Sequence, residues 1–288
     1  MQNDQIQSFL FEDLSIRGQI VHLDQSWKDL VAHSDYPRII EDQLAQVVLA
    51  SILMVSNLKS RGSIVIQIQG DGPIRTLVVQ AHHTGTFRGM VHYNEELPSH
   101  HFHDLFKDSK LILTVQNEGQ IAYQGIVPME GDSIGQALEA YFARSEQLPT
   151  KFVLTSGQGG ASGLLLQGLP KADVIQEDWS RINLLTETLT HEELIGLENE
   201  TLLYRLFNEE TVKLFEPKQI RFSCGCSQSK VAGVLVALGE KEVSEVLKEE
   251  GHVTVFCDFC NKRYVFDRID VGHLFSDQIK APPPALKQ

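Results

Sequence analysis

Apolar residues recur along this chain with two different periods. From Ser63 to Gln69 the sequence Ser-Ile-Val-Ile-Gln-Ile-Gln alternates apolar and polar positions, the period of a half-buried strand. Gly70-Asp71-Gly72-Pro73 follows with turn chemistry, and a second strand is predicted from Ile74 to Ala81, so the pair reads as a β-hairpin. Leu111 to Val115 and Gln120 to Val127 form a second hairpin pattern around Asn117-Glu118-Gly119. Gln19 to Leu23 reads as another strand. Lys151 to Thr155 and Leu164 to Gln167 read as two more, joined by the glycine-rich segment Ser156 to Gly163. Helical spacing governs Arg38 to Leu58, where Ile40, Leu44, Val47, Val48 and Ile52 share a face behind Pro37. It also governs Ile134, Ala137, Leu138, Tyr141 and Phe142, with Asp132 or Ser133 as the cap. This mixture predicts an α+β fold with a mixed α/β core domain over residues 1–176.

The pattern changes at Glu177. Residues 177–217 read as short helices whose apolar faces come from Leu184, Leu185, Leu189, Leu194, Leu197, Leu202, Leu203, Leu206 and Phe207. Between Glu177 and Glu216 there are ten Asp or Glu against three Arg or Lys, a balance of −7 out of −13 for the whole chain. Self-repulsion at that density offsets part of the burial. The segment is therefore expected to be an acidic helical linker, either a stable connector or one poised to unfold.

All four cysteines of the chain fall in the next segment, residues 218–275, as Cys224-Gly-Cys226 and, thirty residues later, Cys257-Asp-Phe-Cys260. Val231, Leu235 and Leu238 predict a helix ended by Gly239. Val243, Val246 and Leu247 predict another, and Val253 to Phe256 with Tyr264 to Phe266 a closing hairpin. Two close cysteine pairs suit a tetrahedral thiolate site for one zinc ion, held by Cys224, Cys226, Cys257 and Cys260. A module this small has little apolar core, so metal binding would supply much of its folding energy. The same thiolates are what peroxides attack. Three chemistries remain open on the residues alone: a redox switch, a structural zinc ribbon for partner binding, and a thiol oxidoreductase working through Cys257 and Cys260. Residues 276–288, with three consecutive prolines, read as a disordered tail.

Composition narrows the partners. The chain has 288 residues, enough for one large core and a smaller module. A net charge of −13 and the absence of any basic run argue against nucleic acid and anionic membrane as partners. The residues from Met1 to Leu10 lack the basic and apolar parts of a signal peptide. The longest apolar run, Val47 to Val55, is about half of the ~20 residues a membrane span needs. A cytoplasmic location is expected, where paired cysteines point to metal or redox chemistry rather than to structural disulfides.

Other clusters carry less. Gly157, Gly159, Gly160 and Gly163 match neither phosphate-binding fingerprint and read as a hairpin or close-packed turn. His100, His101 and His103 could begin a second metal site but lack a second ligand pair, and His252 and His273 are not needed beside four cysteines. Asp132, Glu139 and Glu146 are read as capping or solvated helix positions. No catalytic and no organic cofactor-binding residue is expected, and the chain is not expected to be an enzyme.

Many separate motifs resemble one family, the redox-regulated bacterial chaperone called the thirty-three-kilodalton heat-shock protein. They are Phe222-Ser-Cys-Gly-Cys-Ser227, Cys257-Asp-Phe-Cys260, Tyr264-Val-Phe-Asp267 and Asp270-Val271, with Gln69-Gly-Asp-Gly-Pro73, Arg88-Gly89, Gly131-Asp132, Ala137-Leu138-Glu139, Tyr141-Phe142, Ser145 to Thr150, Gly163 to Pro170 and Leu214-Phe-Glu-Pro217. The resemblance covers nearly the whole chain. It implies an ATP-independent holdase of oxidative stress, inactive while one zinc ion sits on the four cysteines. Oxidation would form the disulfides Cys224–Cys226 and Cys257–Cys260, release the metal, unfold the acidic linker and favour a homodimer that binds unfolding clients. Gln228-Ser229 departs from the charged residues expected in many relatives; it leaves the four ligands intact but could alter thiol reactivity.

Overall fold

The computed structural model describes residues 4–276 except 59, 98, 158–159 and 170–173. The tail expected over 276–288 lies, Ser276 apart, outside the described residues. The chain divides into two compact units, Met1–Ser223 and Cys224–Gln288.

The first unit opens with β1 (Gln5–Phe11), β2 (Ile16–Leu23), α1 (Gln25–Val31) and α2 (Arg38–Ser56). Then come β3 (Gly62–Gln69), β4 (Ile74–His82), β5 (Thr86–Tyr93), α3 (Phe102–Leu105), β6 (Lys110–Asn117), β7 (Tyr123–Val127) and α4 (Ile134–Tyr141). β8 (Thr150–Gly157), β9 (Gly160–Gly168), α5 (Gln176–Thr186), α6 (His191–Gly196), α7 (Asn199–Phe207), β10 (Val212–Leu214), β11 (Lys218–Gln219) and β12 (Arg221–Phe222) complete it. One sheet runs β10-β1-β2-β9-β8, with β11 also on β1; the other runs β12-β5-β4-β3-β6-β7. Both predicted hairpins are present, β3–β4 and β6–β7.

α2 is the centre of the core. Leu44, Val47, Val48 and Leu49 have no exposed surface, and they share one cluster with Val21 and Leu165 of the first sheet and Ile66 and Val79 of the second. The helix is long and apolar enough to cross a membrane, longer than the Val47–Val55 run suggested, because Leu44, Ala45 and Ile40 extend its apolar surface. It lies buried between the two sheets. Ser133, of the two candidate caps, is the N-cap of α4 and accepts from the Gln136 amide.

The outer face of the first sheet is covered by the acidic segment. Along β2, Ile16 and Ile20 point to one side and Val21 and Leu23 to the other; β9 divides Leu164 and Leu166 from Leu165 in the same way. The outer set, with Phe9 and Phe11, buries Ile182, Leu194, Leu202, Leu203, Leu206 and Phe207 of α5–α7, with Leu189 from the α5–α6 connection. Thr190 opens α6 with a capping box closed by Glu193. Arg181 pairs with Asp178 at 3.1 Å and with Glu210, and Arg205 pairs with Glu193. The two arginines thus neutralise part of the acidic charge. The His22 ring, on the same outer face, is buried between the Ser162 hydroxyl at 2.9 Å and the Asn199 side-chain oxygen at 2.8 Å, tying β2 to α7.

The segment Ser156–Gly163 is mostly strand rather than loop. β8 runs to Gly157 and β9 restarts at Gly160, which pair with each other. A Cβ at Gly160 would stand 2.5 Å from the Leu23 carbonyl oxygen, so glycine allows the neighbouring strand's end to approach. Gly159 lies outside the described residues.

The second unit contains α8 (Gln228–Leu238), α9 (Glu240–Glu250), the hairpin β13 (Val253–Phe256) and β14 (Arg263–Phe266), and α10 (Arg268–Ser276). Gly239 separates the two helices with φ 101°, a left-handed-side conformation suited to glycine. Leu238 and Val246, predicted inside, are exposed; Ala232 joins Val231 and Leu235 on the buried face, and Val243 and Leu247 complete it from α9.

Candidate metal centre

Each cysteine pair is positioned by a local element. Cys224-Gly225-Cys226 leads into α8, whose N-cap Ser227 accepts from the Lys230 amide at 3.3 Å. The Ser229 hydroxyl lies 2.9 Å from the Ser227 hydroxyl, and Lys230 Nζ donates to the Gly225 carbonyl at 2.5 Å. These contacts tie the first pair to the start of the helix. The second pair sits in the β13–β14 turn. There the amides of Asn261 and Cys260 donate to the Cys257 carbonyl at 2.7 and 3.3 Å, and the Cys257 amide donates to the Lys262 carbonyl at 3.0 Å. Asn261 closes the turn at φ 51°, a left-handed conformation asparagine tolerates.

The four sulfur atoms converge, all within 4.8 Å of one another. Across the two pairs Cys224 Sγ lies 3.6 Å from Cys257 Sγ, and Cys226 Sγ 3.5 Å from Cys260 Sγ. A thiolate tetrahedron with bonds of about 2.3 Å has edges of about 3.8 Å. The donor set and its spacing therefore fit one tetrahedral ion. All four are free thiols, half-buried, with Cys226 and Cys257 packed against the unit's apolar core.

The electrostatics are those of a tight thiol cluster that shares protons. Burial acts upward on Cys226, but hydrogen bonds from the Tyr264 hydroxyl and from Cys260, Cys224 and Cys257 outweigh it and hold the thiol down at about 7. Cys224 and Cys260 are pushed up, by burial first. The Tyr264 hydroxyl donates to Cys226 Sγ at 3.0 Å, and that bond pushes the phenol up to about 12. Tyr264 and Lys230 were absent from the sequence reading of the site. The signal for Tyr264 was available: it alternates with Phe266 on the inward face of β14, where a phenol needs a partner.

Among the described residues no other group of three or more His, Cys, Asp or Glu side chains brings its ligand atoms together. His103 Nε2 lies 3.4 Å from Asp132 instead, and His252 Nδ1 lies 3.0 Å from the Glu250 carbonyl. Glu139 departs from its expected solvated position. It is largely buried and accepts from the Phe152 amide at 2.7 Å, joining α4 to β8, and burial raises its pKa.

The model of the Hsp33 protein family matches residues 4–267. The chain belongs to the Hsp33 family. It is 45% identical over 279 residues to the 33 kDa chaperonin of Nitrosococcus oceani, covering 97% of this chain and 96% of that one. It is 41% identical over 282 residues to the 33 kDa chaperonin of Chromobacterium violaceum, with 97% and 96% covered. The fold is similar to the crystal structure of the 33 kDa chaperonin from Thermotoga maritima, with a TM-score of 0.85 and 24% identity, covering 96% of this chain and all of that one. In this Hsp33 chain, then, the four cysteines gathered from two distant segments are positioned to hold a metal ion.

Proposed function

We propose that this chain is a redox-regulated, ATP-independent holdase, and that Cys224, Cys226, Cys257 and Cys260 are both its zinc ligands and its oxidant sensor. The observation that carries the reading is the convergence of four thiols within 4.8 Å in a unit whose apolar core is ten buried residues among those described. The resemblance along the whole chain and the names of its relatives support a chaperone of unfolding proteins rather than an enzyme.

A bound zinc ion would supply a structural centre that keeps the thiols as thiolates. The chain's own residues do the rest. Gly225 and the Asn261 turn present the sulfurs, and Tyr264 donates to Cys226. An oxidant such as hydrogen peroxide reacts at one thiolate: an S–O bond forms, the O–O bond breaks and hydroxide leaves. A second thiolate then attacks that sulfur, an S–S bond forms and the S–O bond breaks. Each disulfide thus passes two electrons to one peroxide. The resemblance assigns the pairs as Cys224–Cys226 and Cys257–Cys260. Once both have formed, the ligand set is gone and the small second unit, which begins at Cys224, loses the metal's share of its folding energy.

The acidic segment 177–217 is the second part of the switch. It unfolds when that unit does, uncovering the outer apolar face of the first sheet to clients. Oxidised chains associate as homodimers, in a cytoplasmic protein that uses neither nucleic acid nor membrane.

The test pairs two measurements on reduced and peroxide-treated protein: released zinc, and suppression of aggregation of a heat-unfolding client without nucleotide. Metal release and holdase activity appearing together, and falling back with a thiol reductant, are expected. Release without activity, or activity with the metal still bound, would leave a structural zinc module. Disulfide reductase turnover would favour an oxidoreductase instead.

A further inference from the structure

The inward face of the first sheet carries a polar patch where core is expected. On β2, Arg17 and Gln19 share the face of Val21 and Leu23, which pack against α2. Arg17 Nη2 donates to Gln167 Oε1 at 2.7 Å, and Gln167 Nε2 donates to Thr150 Oγ1 at 3.1 Å, so the guanidinium is held from one side. Gln19 is held likewise by Asn57 at 2.8 Å. Yet Arg17 Nε and Gln19 Oε1 are buried without a hydrogen-bond partner. Among the described residues no carboxylate lies within ion-pair distance of Arg17. Arg17 is half-buried, and burial pushes its guanidinium down from the ordinary value.

Arg17 lines a cavity of about 380 Å³, within the range of small-molecule sites. Its other walls are mainly apolar, formed by Met54, Leu58, Ile64, Leu113 and Leu165. Tyr123 and Tyr141 stand on one side with their hydroxyls 3.0 Å apart, and the exposed Glu146 accepts from Tyr141 at 3.5 Å. Water could answer Arg17 but would find few partners along the apolar walls. A polyanion would find one guanidinium and, nearby, the Glu146 carboxylate. We infer that this cavity binds a small amphipathic monocarboxylate, with its head on the Arg17 guanidinium and its aliphatic body against Met54, Ile64, Leu113 and Leu165. None of these residues belongs to the cysteine site, so the inference stands apart from the proposed redox function.

The probe is octanoate, titrated calorimetrically into the reduced full-length chain, with octan-1-ol as the neutral match. One octanoate per chain is expected, with octan-1-ol weaker by about tenfold or more because the charge-assisted bond is lost. Arg17→Gln should bring octanoate down to the level of the alcohol. Because that change could disturb β2, a second variant acts from the rim: Leu148→Trp, at a half-buried lining position, should fill the space and abolish binding of both. The thermal midpoint of each variant reports that it is folded. No saturable octanoate binding, equal affinity for acid and alcohol, or unchanged binding by Leu148→Trp would each overturn the inference.

Discussion

In the first unit Leu44, Val47, Val48 and Leu49 lie with no exposed surface between two six-stranded sheets. In the second unit the apolar core is a small set drawn from three helices and one hairpin, centred on Leu235, Val243, Tyr264 and Phe266. The first arrangement buries enough apolar surface to stand on its own. The second lies in the size range where a metal or disulfides commonly supplement the core, and its sulfurs converge where an ion would sit. The difference teaches how one chain can couple a durable scaffold to a conditional part: in the proposed switch, oxidation would reach the folding energy of the second unit and leave the core around α2 untouched. The acidic helices α5–α7 are intermediate, packed on the first unit by a cluster of their own and burdened by like charge.

The sharpest break of this comparison is removal of one ligand. Cys260→Ser should abolish stoichiometric zinc binding and unfold the second unit. Metal-linked folding energy in such modules is on the order of 10 kcal/mol. Amide exchange should show loss of protection over residues 224–276 and retention over α2. Retained protection in both would mean the second unit's core suffices alone.

Next in size is Phe207→Ala. Phe207 is 1% exposed and packs edge-on against Phe11 with ring centroids 5.1 Å apart, so its loss should cost about 3–5 kcal/mol. Limited proteolysis of the reduced protein should then cut within residues 177–216, and holdase activity should need less oxidant. Cutting elsewhere would show that α5–α7 are not the weakly held layer.

Acid probes the same layer more gently. Burial, the main cause, lowers the pKa of His22, with the Asn199 hydrogen bond and Glu198 acting upward. The unfolded state, near the ordinary value of about 6.5, therefore takes up a proton before the folded state does. Stability is unaffected above that value and falls as pH drops below it, by at most about 1.4 kcal/mol per pH unit until the folded-state pKa is reached. Exchange protection of α7 should decline between pH 6.5 and 5, and His22→Gln should flatten that decline. The smallest effect is expected for Tyr264→Phe, which removes the donor to Cys226. Zinc affinity measured by competition should weaken about tenfold with the fold of both units unchanged.

Much of this architecture was legible in local pattern. The β3–β4 and β6–β7 hairpins announced themselves by strand pattern and turn residues, and α2 by its helical spacing. β1 was missed because Ile6, Phe9 and Phe11 face two different clusters, so its pattern does not alternate cleanly. The short β10, β11 and β12 exist only because β1 and β5 offer edges to pair with. The Ser156–Gly163 glycines read as a hairpin or close-packed turn, which the β8–β9 pairing matches, but nothing local reveals that Leu23 is what presses against Gly160.

Cysteine spacing, charge count and periodicity were enough, from the sequence by itself, to mark a zinc-type module, an acidic helical segment and an α+β core, because each is a property of neighbours along the chain. Tertiary structure alone decided that the acidic helices cover the outer face of the first sheet, that Tyr264 bonds Cys226, and that Arg17 stands without a counter-ion beside a cavity. Those facts depend on residues far apart in sequence. Burial, which sets the strength of a charge or a hydrogen bond, is a property of the folded neighbourhood and not of the local pattern.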